Sequence, residues 1–233
     1  MIHMNQLQNI FTEDVLNIFC DASIKKFPDG VTVGCPGAIG ISGNRKVCWK
    51  FQLLPDTTNN NSEITALFFA IMLANEHKHL FREINIFADS KICVYGVKTW
   101  YQSWFENIAP DGTLYSSSGT PVANQEVFKD IIRYMVMNNV HVNIYHQKGH
   151  VTSTVKSLVH AMKVFEESNG ITISPEQIKY ICKYNDEIDI KTGMWLESIH
   201  SSRGYATRPT RVFEPVITVD DLNKYTRLIK GGI

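Results

Sequence analysis

The chain has 233 residues, 44% of them hydrophobic and 20% charged, which is the composition of a globular protein that can bury a sizeable core. Its 23 basic and 23 acidic residues cancel, so the field of the whole molecule favours no charged partner. Any contact with nucleic acid must therefore come from a local surface.

Cysteine usage and the N-terminus indicate the compartment. The five cysteines are odd in number, widely scattered and never spaced C-x-x-C, which favours reduced thiols over a disulfide framework or a zinc ribbon. The opening “MIHMNQLQNIFTEDV” lacks the regions of a secretory signal, and no stretch approaches the apolar length of a membrane span. We expect a soluble, cytoplasmic protein with no membrane partner.

The chain begins with three predicted strands. “VLNIFCDAS” (15–23) is apolar up to an acid, so it predicts a buried strand that ends at Asp21. “GCPGAIGISGNRKVCWKFQLLP” (34–55) predicts two more strands, because Gly43-Asn44 between two strand-like runs is a hairpin signal.

A helix is predicted next, in “NNNSEITALFFAIMLANE” (59–76), where apolar residues recur at helical spacing. Asn61 or Ser62 is the expected cap, and Glu63 then complements the positive end of the helix. Capping explains Glu63 without a function, but it does not explain why a carboxylate stands where the buried apolar face of the helix begins.

Strands and helices alternate in the next part of the chain. “REINIFADS” (82–90) predicts a strand that ends at Asp89. The segments 94–108 and 122–139 have helical periodicity, and “VHVNIYHQKGH” (140–150) predicts a last strand that runs into a loop. This order predicts an α/β fold, in which helices pack on a mixed sheet.

Three acids stand at predicted element ends that such a sheet can bring to one place: Asp21, Glu63 and Asp89. Each acid alone has an ordinary structural explanation. Together, without basic partners, they would repel one another strongly. Two Mg²⁺ or Mn²⁺ ions would remove the repulsion, and such a pair can activate water and stabilise a leaving oxygen at phosphorus.

The sequence resembles the type 1 ribonuclease H family. The matching stretches are “FCDAS”, “TNNNSEITAL”, “FADSKICVYGV”, “TPVANQEVFKDI” and “HQKGH”, in the family's order, over residues 15–150, with a further match near Asn185. The resemblance implies a ribonuclease H-like fold with a five-stranded mixed sheet flanked by helices. It also implies an endonuclease that cleaves the RNA strand of RNA–DNA hybrids and leaves 5′-phosphomonoesters.

The resemblance assigns roles to individual residues. The predicted ligands of two Mg²⁺ ions, with Mn²⁺ as an alternative, are Asp21, Glu63, Asp89 and Asp189. His150 matches a histidine that assists proton transfer and product release. The predicted contacts to the RNA–DNA hybrid are Ser23, Asn59, Asn60, Trp104 and Asn124. No obligate protein partner is implied, and we expect a monomer.

The last acid departs from the family's spacing. “YNDEID” keeps the N-x-x-x-D pattern through Asn185 and Asp189, but Asp189 lies 39 positions after His150 (189 − 150). Asp186 is a competitor for the same role, because it shares a helical face with Cys182 and Asp189. We favour Asp189.

The additional residues predict an inserted helical hairpin at about 152–180. Apolar residues at helical spacing predict its first helix, and “SPEQ” from Ser174 predicts a capping box at the start of its second. The predicted domains are an N-terminal extension (1–14), a catalytic domain with the insertion (15–199) and a C-terminal extension (200–233).

The family's basic protrusion is mostly missing, since Phe105 and Glu106 stand where lysine or arginine is common. The hairpin lysines can replace it, or the hairpin can be a remote stabilising addition. We expect the arginines of the C-terminal extension to form a solvated surface. The candidate replacements are Lys156, Lys163 and Lys179 in the hairpin and Arg203, Arg208 and Arg211 in the extension.

The function predicted from the sequence is therefore a metal-dependent ribonuclease H. One alternative is an enzyme of the same fold that cuts DNA, such as a resolvase or exonuclease, but the paired asparagines and “PVAN” argue against it. Another is a hybrid-binding module without activity, and retention of all four acids argues against that.

Overall fold

The computed structural model of the chain describes residues 5–28 and 30–198. Its strands are β1 (Asn5–Gln6), β2 (Val15–Lys26), β3 (Thr32–Ser42), β4 (Arg45–Phe51), β5 (Leu54–Pro55), β6 (Glu83–Ala88), β7 (Asn143–His146) and β8 (Ile171–Thr172). Its helices are α1 (Asn59–His77), α2 (Lys91–Tyr95), α3 (Tyr101–Glu106), α4 (Gln125–Asn138), α5 (Val155–Asn169) and α6 (Pro175–Ser198). A search of these residues finds no helix that is long and apolar enough to span a membrane. The C-terminal extension predicted at 200–233 lies outside the described residues.

A mixed sheet with the strand order β4-β3-β2-β6-β7 forms the centre of the fold, and short β5 also pairs with β3. Strands β2, β6 and β7 run parallel, whereas β3 is antiparallel to β2 and β4. Alternate residues point to opposite faces, so Ile18 packs with α1 and α4 while Phe19 packs with α5 and α6. The predicted α/β fold, a five-stranded mixed sheet flanked by helices, is confirmed.

Strand β2 does not end at Asp21 as predicted. Its antiparallel pairing with β3 continues to Lys26, whereas its parallel pairing with β6 stops at Cys20. Strand β2 therefore extends beyond its pairing with β6 and stays paired with β3. Asp21 is the first residue of β2 past the parallel pair, and Asp89 is the first residue past β6.

The start of α1 also differs from the prediction. Thr58, in an extended conformation, caps the helix, and its hydroxyl accepts a 3.2 Å hydrogen bond from the backbone N–H of Asn61. Because α1 already begins at Asn59, the predicted caps Asn61 and Ser62 lie inside the helix. The first turn holds no acid, so Glu63 does not complement the helix end.

Two other boundaries follow from local backbone geometry. The predicted hairpin turn between β3 and β4 is confirmed, with Gly43 in the left-handed region at φ 58°. Strand β7 begins at Asn143 rather than at Val140, because Val140 belongs to the end of α4. Asn139 is left-handed there, and the N–H of Val140 donates to the carbonyl of Met135 at 3.0 Å.

The helix predicted at 94–108 forms in three pieces, with a π-helical turn (Gly96–Trp100) between α2 and α3. The wider turn stacks Tyr95 on Trp100, five residues later, with ring centroids 5.7 Å apart. A Cβ added at Gly96 would lie 2.5 Å from the ring of Phe128, so this glycine lets α4 pack closely.

The predicted insertion forms α5 and the start of α6. Its capping box is confirmed: the N–H of Ser174 donates to Gln177 Oε1 at 3.0 Å, and the N–H of Gln177 donates to Ser174 Oγ at 3.2 Å. Helix α6 then continues without a break to Ser198 and carries Asn185 and Asp189. One helix therefore joins the insertion to the last predicted ligand.

Candidate active site

Three acids converge where β2, β6 and α1 meet. Asp21 and Asp89 follow the last paired residues of two adjacent parallel strands, so the register places them side by side. Glu63 reaches the same place from α1. One carboxylate oxygen from each acid lies within 4.8 Å of the other two, and residues 5–28 and 30–198 hold no other such group of His, Cys, Asp or Glu. We call these three residues the acidic triad.

Burial and mutual repulsion raise the pKa values of the triad. Burial, and then the charge of Asp89, raises the pKa of Asp21 to about 8. Burial, followed by the charges of the other two acids, raises the pKa of Glu63 to about 9. Burial also raises the pKa of Asp89, although His150 and a hydrogen bond from Asn185 act in the opposite direction. Burial and repulsion therefore disfavour the state in which all three acids are ionised, and a bound cation would favour it.

Neighbours from β7 and α6 hold Asp89 in place. His146 Nε2 lies 3.1 Å from the carbonyl oxygen of Asp89, and hydrogen bonding by the side chain of Asn185 lowers the pKa of the Asp89 carboxyl group. A Cβ at Gly149 would lie only 2.2 Å from Asp89 Oδ2, so the loop after β7 can approach this closely only with glycine.

Asp189 and His150 lie beside the triad. His150 Nδ1 is 3.7 Å from Asp189 Oδ2, and the two side chains are 83% and 40% exposed. The charge of Asp189 contributes to the raised pKa of each triad acid. Asp186 is exposed, and the charge of Asp189 adds to partial burial in raising its pKa. Of the two late acids, Asp189 is the one whose charge acts on the triad.

A pocket of about 410 Å³ opens beside the start of α1. Aromatic, hydroxyl, amide and aliphatic side chains line it, and none of the described residues in its wall is charged. It lies between the π-helical turn, α3 and the loop before α4. We call it the neutral pocket, and its polar and aromatic wall includes Asn60, Trp100, Trp104, Ser117, Thr120 and Asn124.

The structure gathers only some of the predicted substrate residues. Three of them lie together in the neutral pocket, namely Asn60, Trp104 and Asn124. Asn59 is exposed at the first position of α1, outside the wall of the pocket. Ser23 is half-buried on β2, and its hydroxyl lies 2.7 Å from that of Thr192 on α6.

Sequence reasoning missed two features of the site. Helical periodicity covers Trp100, but its place in the pocket depends on the π-helical turn, which periodicity does not reveal. Gln147 is buried beside Asn185 and has no periodic signal at all. The serine-rich loop next to the tryptophans was the available clue to the neutral pocket.

Three carboxylates at adjoining ends of a mixed sheet and a helix are a donor set for divalent cations, which is the chemistry of a metal-dependent hydrolase. The model of the RNase H family matches residues 13–158, more than half of the 233-residue chain. The chain belongs to this family and is a hydrolase of the ribonuclease H class. The match ends before α6, so it does not reach Asp189.

Named relatives agree with this membership. Ribonuclease HI of Rickettsia conorii is 27% identical over 117 residues, which are 48% of this chain and 70% of the relative. Ribonuclease H of Ruthia magnifica is 31% identical over 131 residues, which are 50% of this chain and 78% of the relative.

A solved structure shares the fold. It is a foamy viral protease-reverse transcriptase in complex with an RNA/DNA hybrid, with a TM-score of 0.50 and 14% identity. The alignment covers 74% of this chain and 21% of the viral chain.

Proposed function

We propose that the chain cleaves the RNA strand of RNA–DNA hybrids, leaving 5′-phosphomonoesters, with two Mg²⁺ or Mn²⁺ ions held by four acids. The observation that carries this proposal is the buried triad, whose carboxylate oxygens lie within 4.8 Å of one another. Without a cation this arrangement is unfavourable, because burial and repulsion raise the pKa values. Hard divalent cations prefer oxygen ligands, so the donor set fits them.

The four acids divide between rigid elements. Asp21 and Asp89 would hold the ions from the sheet, Glu63 from α1, and Asp189 from α6 at the exposed side. Two bound divalent cations activate the attacking water and stabilise the leaving oxygen of a phosphodiester. Strand register would fix Asp21 and Asp89, and helices α1 and α6 would fix Glu63 and Asp189.

We assign proton transfer and product release to His150. Its side chain is 83% exposed and lies 3.7 Å from Asp189, so it can reach a phosphate bound over the triad and exchange protons with water. Its backbone is left-handed at φ 50°, an uncommon conformation for histidine, which turns the loop at this point.

The hybrid would lie across the triad and the neutral pocket. The relatives carry the name ribonuclease H, and the foamy viral protein was solved with an RNA/DNA hybrid. Asn59 and Asn60 are exposed in the first turn of α1, where their amides can read 2′-hydroxyls in the minor groove. Trp104 and Asn124 would line the channel beside them, and Ser23 would contact substrate from β2.

We assign catalysis to a domain at 15–199, with an insertion at about 152–180 and an extension on each side, acting as a cytoplasmic monomer. The continuous helix α6 supports a single domain, because it links the insertion to the proposed last ligand.

Cleavage of matched, end-labelled substrates tests the proposal. The RNA–DNA hybrid should be cut in Mg²⁺ or Mn²⁺, while double-stranded RNA and duplex DNA of the same sequence stay intact. Cleavage of duplex DNA would favour the resolvase or exonuclease alternative. Binding of the hybrid without cleavage in either metal would favour a non-catalytic module.

A further inference from the structure

Gln147 follows β7 and is one of the most deeply buried polar residues of the site, with only 1% of its surface exposed. Its backbone N–H donates to the carbonyl of Ala88 at 3.0 Å, which fixes it beside the end of β6. Its side-chain Nε2 donates to Oδ1 of Asn185, which is 3% exposed on α6.

The hydrogen bonds that join Gln147, Asn185 and Asp89 all donate in the same direction, toward Asp89. Because Oδ1 of Asn185 accepts from Gln147, the NH₂ group of Asn185 is left for Asp89, whose carboxylate only accepts hydrogen bonds. The carbonyl oxygen of Asn185 then faces Gln147, which must present its own NH₂ group. The carbonyl oxygen of Gln147 is therefore turned away, and it is one of two buried side-chain polar atoms, among the described residues, without a hydrogen-bond partner.

We propose that Gln147 is a positioning residue, whose amide locks Asn185 in the orientation that holds Asp89 ready to bind metal. This inference rests on the proposed function, since it takes Asp89 as a ligand. An apolar side chain at 147 would avoid the unpaired oxygen, which is unfavourable when buried. The same replacement would leave Oδ1 of Asn185 without its donor, so what the glutamine specifically contributes is the orientation of the Asn185 amide.

Replacing Gln147 by methionine keeps the length of the side chain and removes both its donor and its unpaired oxygen. A residue that only stabilised the fold would lower the Tm when replaced and leave metal binding alone. The positioning role predicts the opposite pattern. The variant loses the unpaired oxygen of residue 147 but leaves Oδ1 of Asn185 without a donor, so its Tm should change little. Its affinity for Mn²⁺, measured by calorimetry on the full chain without substrate, should fall about tenfold.

Gln177 provides the matched control, because it is a buried glutamine about two helical turns before Asn185 on the same helix. Its Nε2 donates to the carbonyls of Leu7 and Gln8, at 3.1 and 2.9 Å. Gln177→Met should lower the Tm and leave Mn²⁺ affinity within about twofold of wild type.

A double-mutant cycle tests whether Gln147 acts through Asn185. In an Asn185→Ala background, Gln147→Met should change Mn²⁺ affinity less than about twofold, because the amide to be oriented is gone. Equal effects in both backgrounds, or wild-type affinity in the folded Gln147→Met protein, would overturn the inference. Gln147→Leu provides the same comparison if the methionine variant does not fold. Failure of the wild-type chain to bind Mn²⁺ would instead refute the proposed function.

Discussion

The acidic triad and the neutral pocket lie one helical turn apart on α1, through Glu63 and Asn60, yet they are built in opposite ways. The triad concentrates buried carboxylates whose pKa values are raised by burial and repulsion. The pocket holds about 410 Å³ without a charged residue in its described wall. The charged side chains therefore lie at the triad, where the chemistry is proposed. The neutral pocket could bind substrate only by stacking, hydrogen bonds and apolar contact.

The two regions also differ in what holds them. Strand register and helix packing fix the triad acids. Part of the pocket wall comes from a tight loop, in which the backbone N–H of Ser116 donates to the carbonyl of Thr120 at 2.8 Å. A protein with zero net charge and such a pocket should bind nucleic acid with a weak dependence on salt.

The largest effect should come from the triad. Asp89→Asn keeps the shape of the side chain and removes a ligand charge, so hybrid cleavage should fall by about 10³-fold or more. The fold should remain, and the Tm without metal should not fall, because repulsion is relieved. Single-turnover rates on a labelled hybrid measure the effect, and near-normal turnover would remove Asp89 from the site.

The next effect separates the two late acids. Asp189→Ala should reduce cleavage by about 100-fold, because Asp189 lies beside the triad and contributes to its field. Asp186→Ala, the control on the same helix, should cost only a few-fold. Equal losses, or a larger loss for Asp186, would show that α6 presents a different acid to the metals.

The neutral pocket should respond in affinity and not in chemistry. Trp100, 40% exposed, offers a stacking surface, so Trp100→Ala should weaken hybrid binding about tenfold without changing the slope of log K against log salt. Ser117→Lys should add a phosphate contact and steepen that slope by close to 0.9. Asn44→Lys, the same charge change at the β3–β4 turn, is the control. A steep slope of log K against log salt in the wild type would contradict the claim that the neutral pocket binds the hybrid without phosphate contacts.

The smallest effect concerns specificity. Asn60→Ala should weaken hybrid cleavage about fivefold, as expected for one hydrogen bond, and should not create cleavage of duplex DNA. Asn44→Ala controls for loss of an exposed amide elsewhere. New activity on duplex DNA would mean that Asn60 excludes DNA instead of recognising RNA.

The sequence predicted the triad more securely than the elements that carry it. Apolar runs that stop at Asp21 and Asp89 indicated two acids at one edge, but they did not reveal that β2 continues beside β3. Helical spacing found α1, but Thr58 lies before the periodic stretch and was not recognised as its cap. Tertiary contacts decide where β2 ends and where α1 begins, and a local sequence pattern carries no information about those contacts.

The neutral pocket and Gln147 were beyond sequence reasoning for a related reason. The pocket needs a π-helical turn and the tight loop at 116–120, whose composition indicates a turn but not where it lies. Gln147 is explained only by hydrogen-bond polarity among three side chains from different elements. Features made by periodic burial could be predicted, and features made by directional contacts between distant segments could not.

The most direct test of the central claim, that the triad is a cation site, is the Tm as a function of pH with and without Mg²⁺. In the metal-free protein the pKa values of Asp21 and Glu63 are raised from 3.8 and 4.5 to about 8 and about 9, so the folded state binds protons more tightly than the unfolded state. Stability is then highest below the unfolded pKa values and is lost as the pH rises toward the folded ones. Without metal, the Tm should fall by several degrees between about pH 5 and pH 9, at roughly 2–4 °C per kcal/mol. Saturating Mg²⁺ should raise the Tm most at the alkaline end and flatten the curve, and Asp89→Asn should reduce both effects. Parallel curves with and without Mg²⁺ would contradict the account.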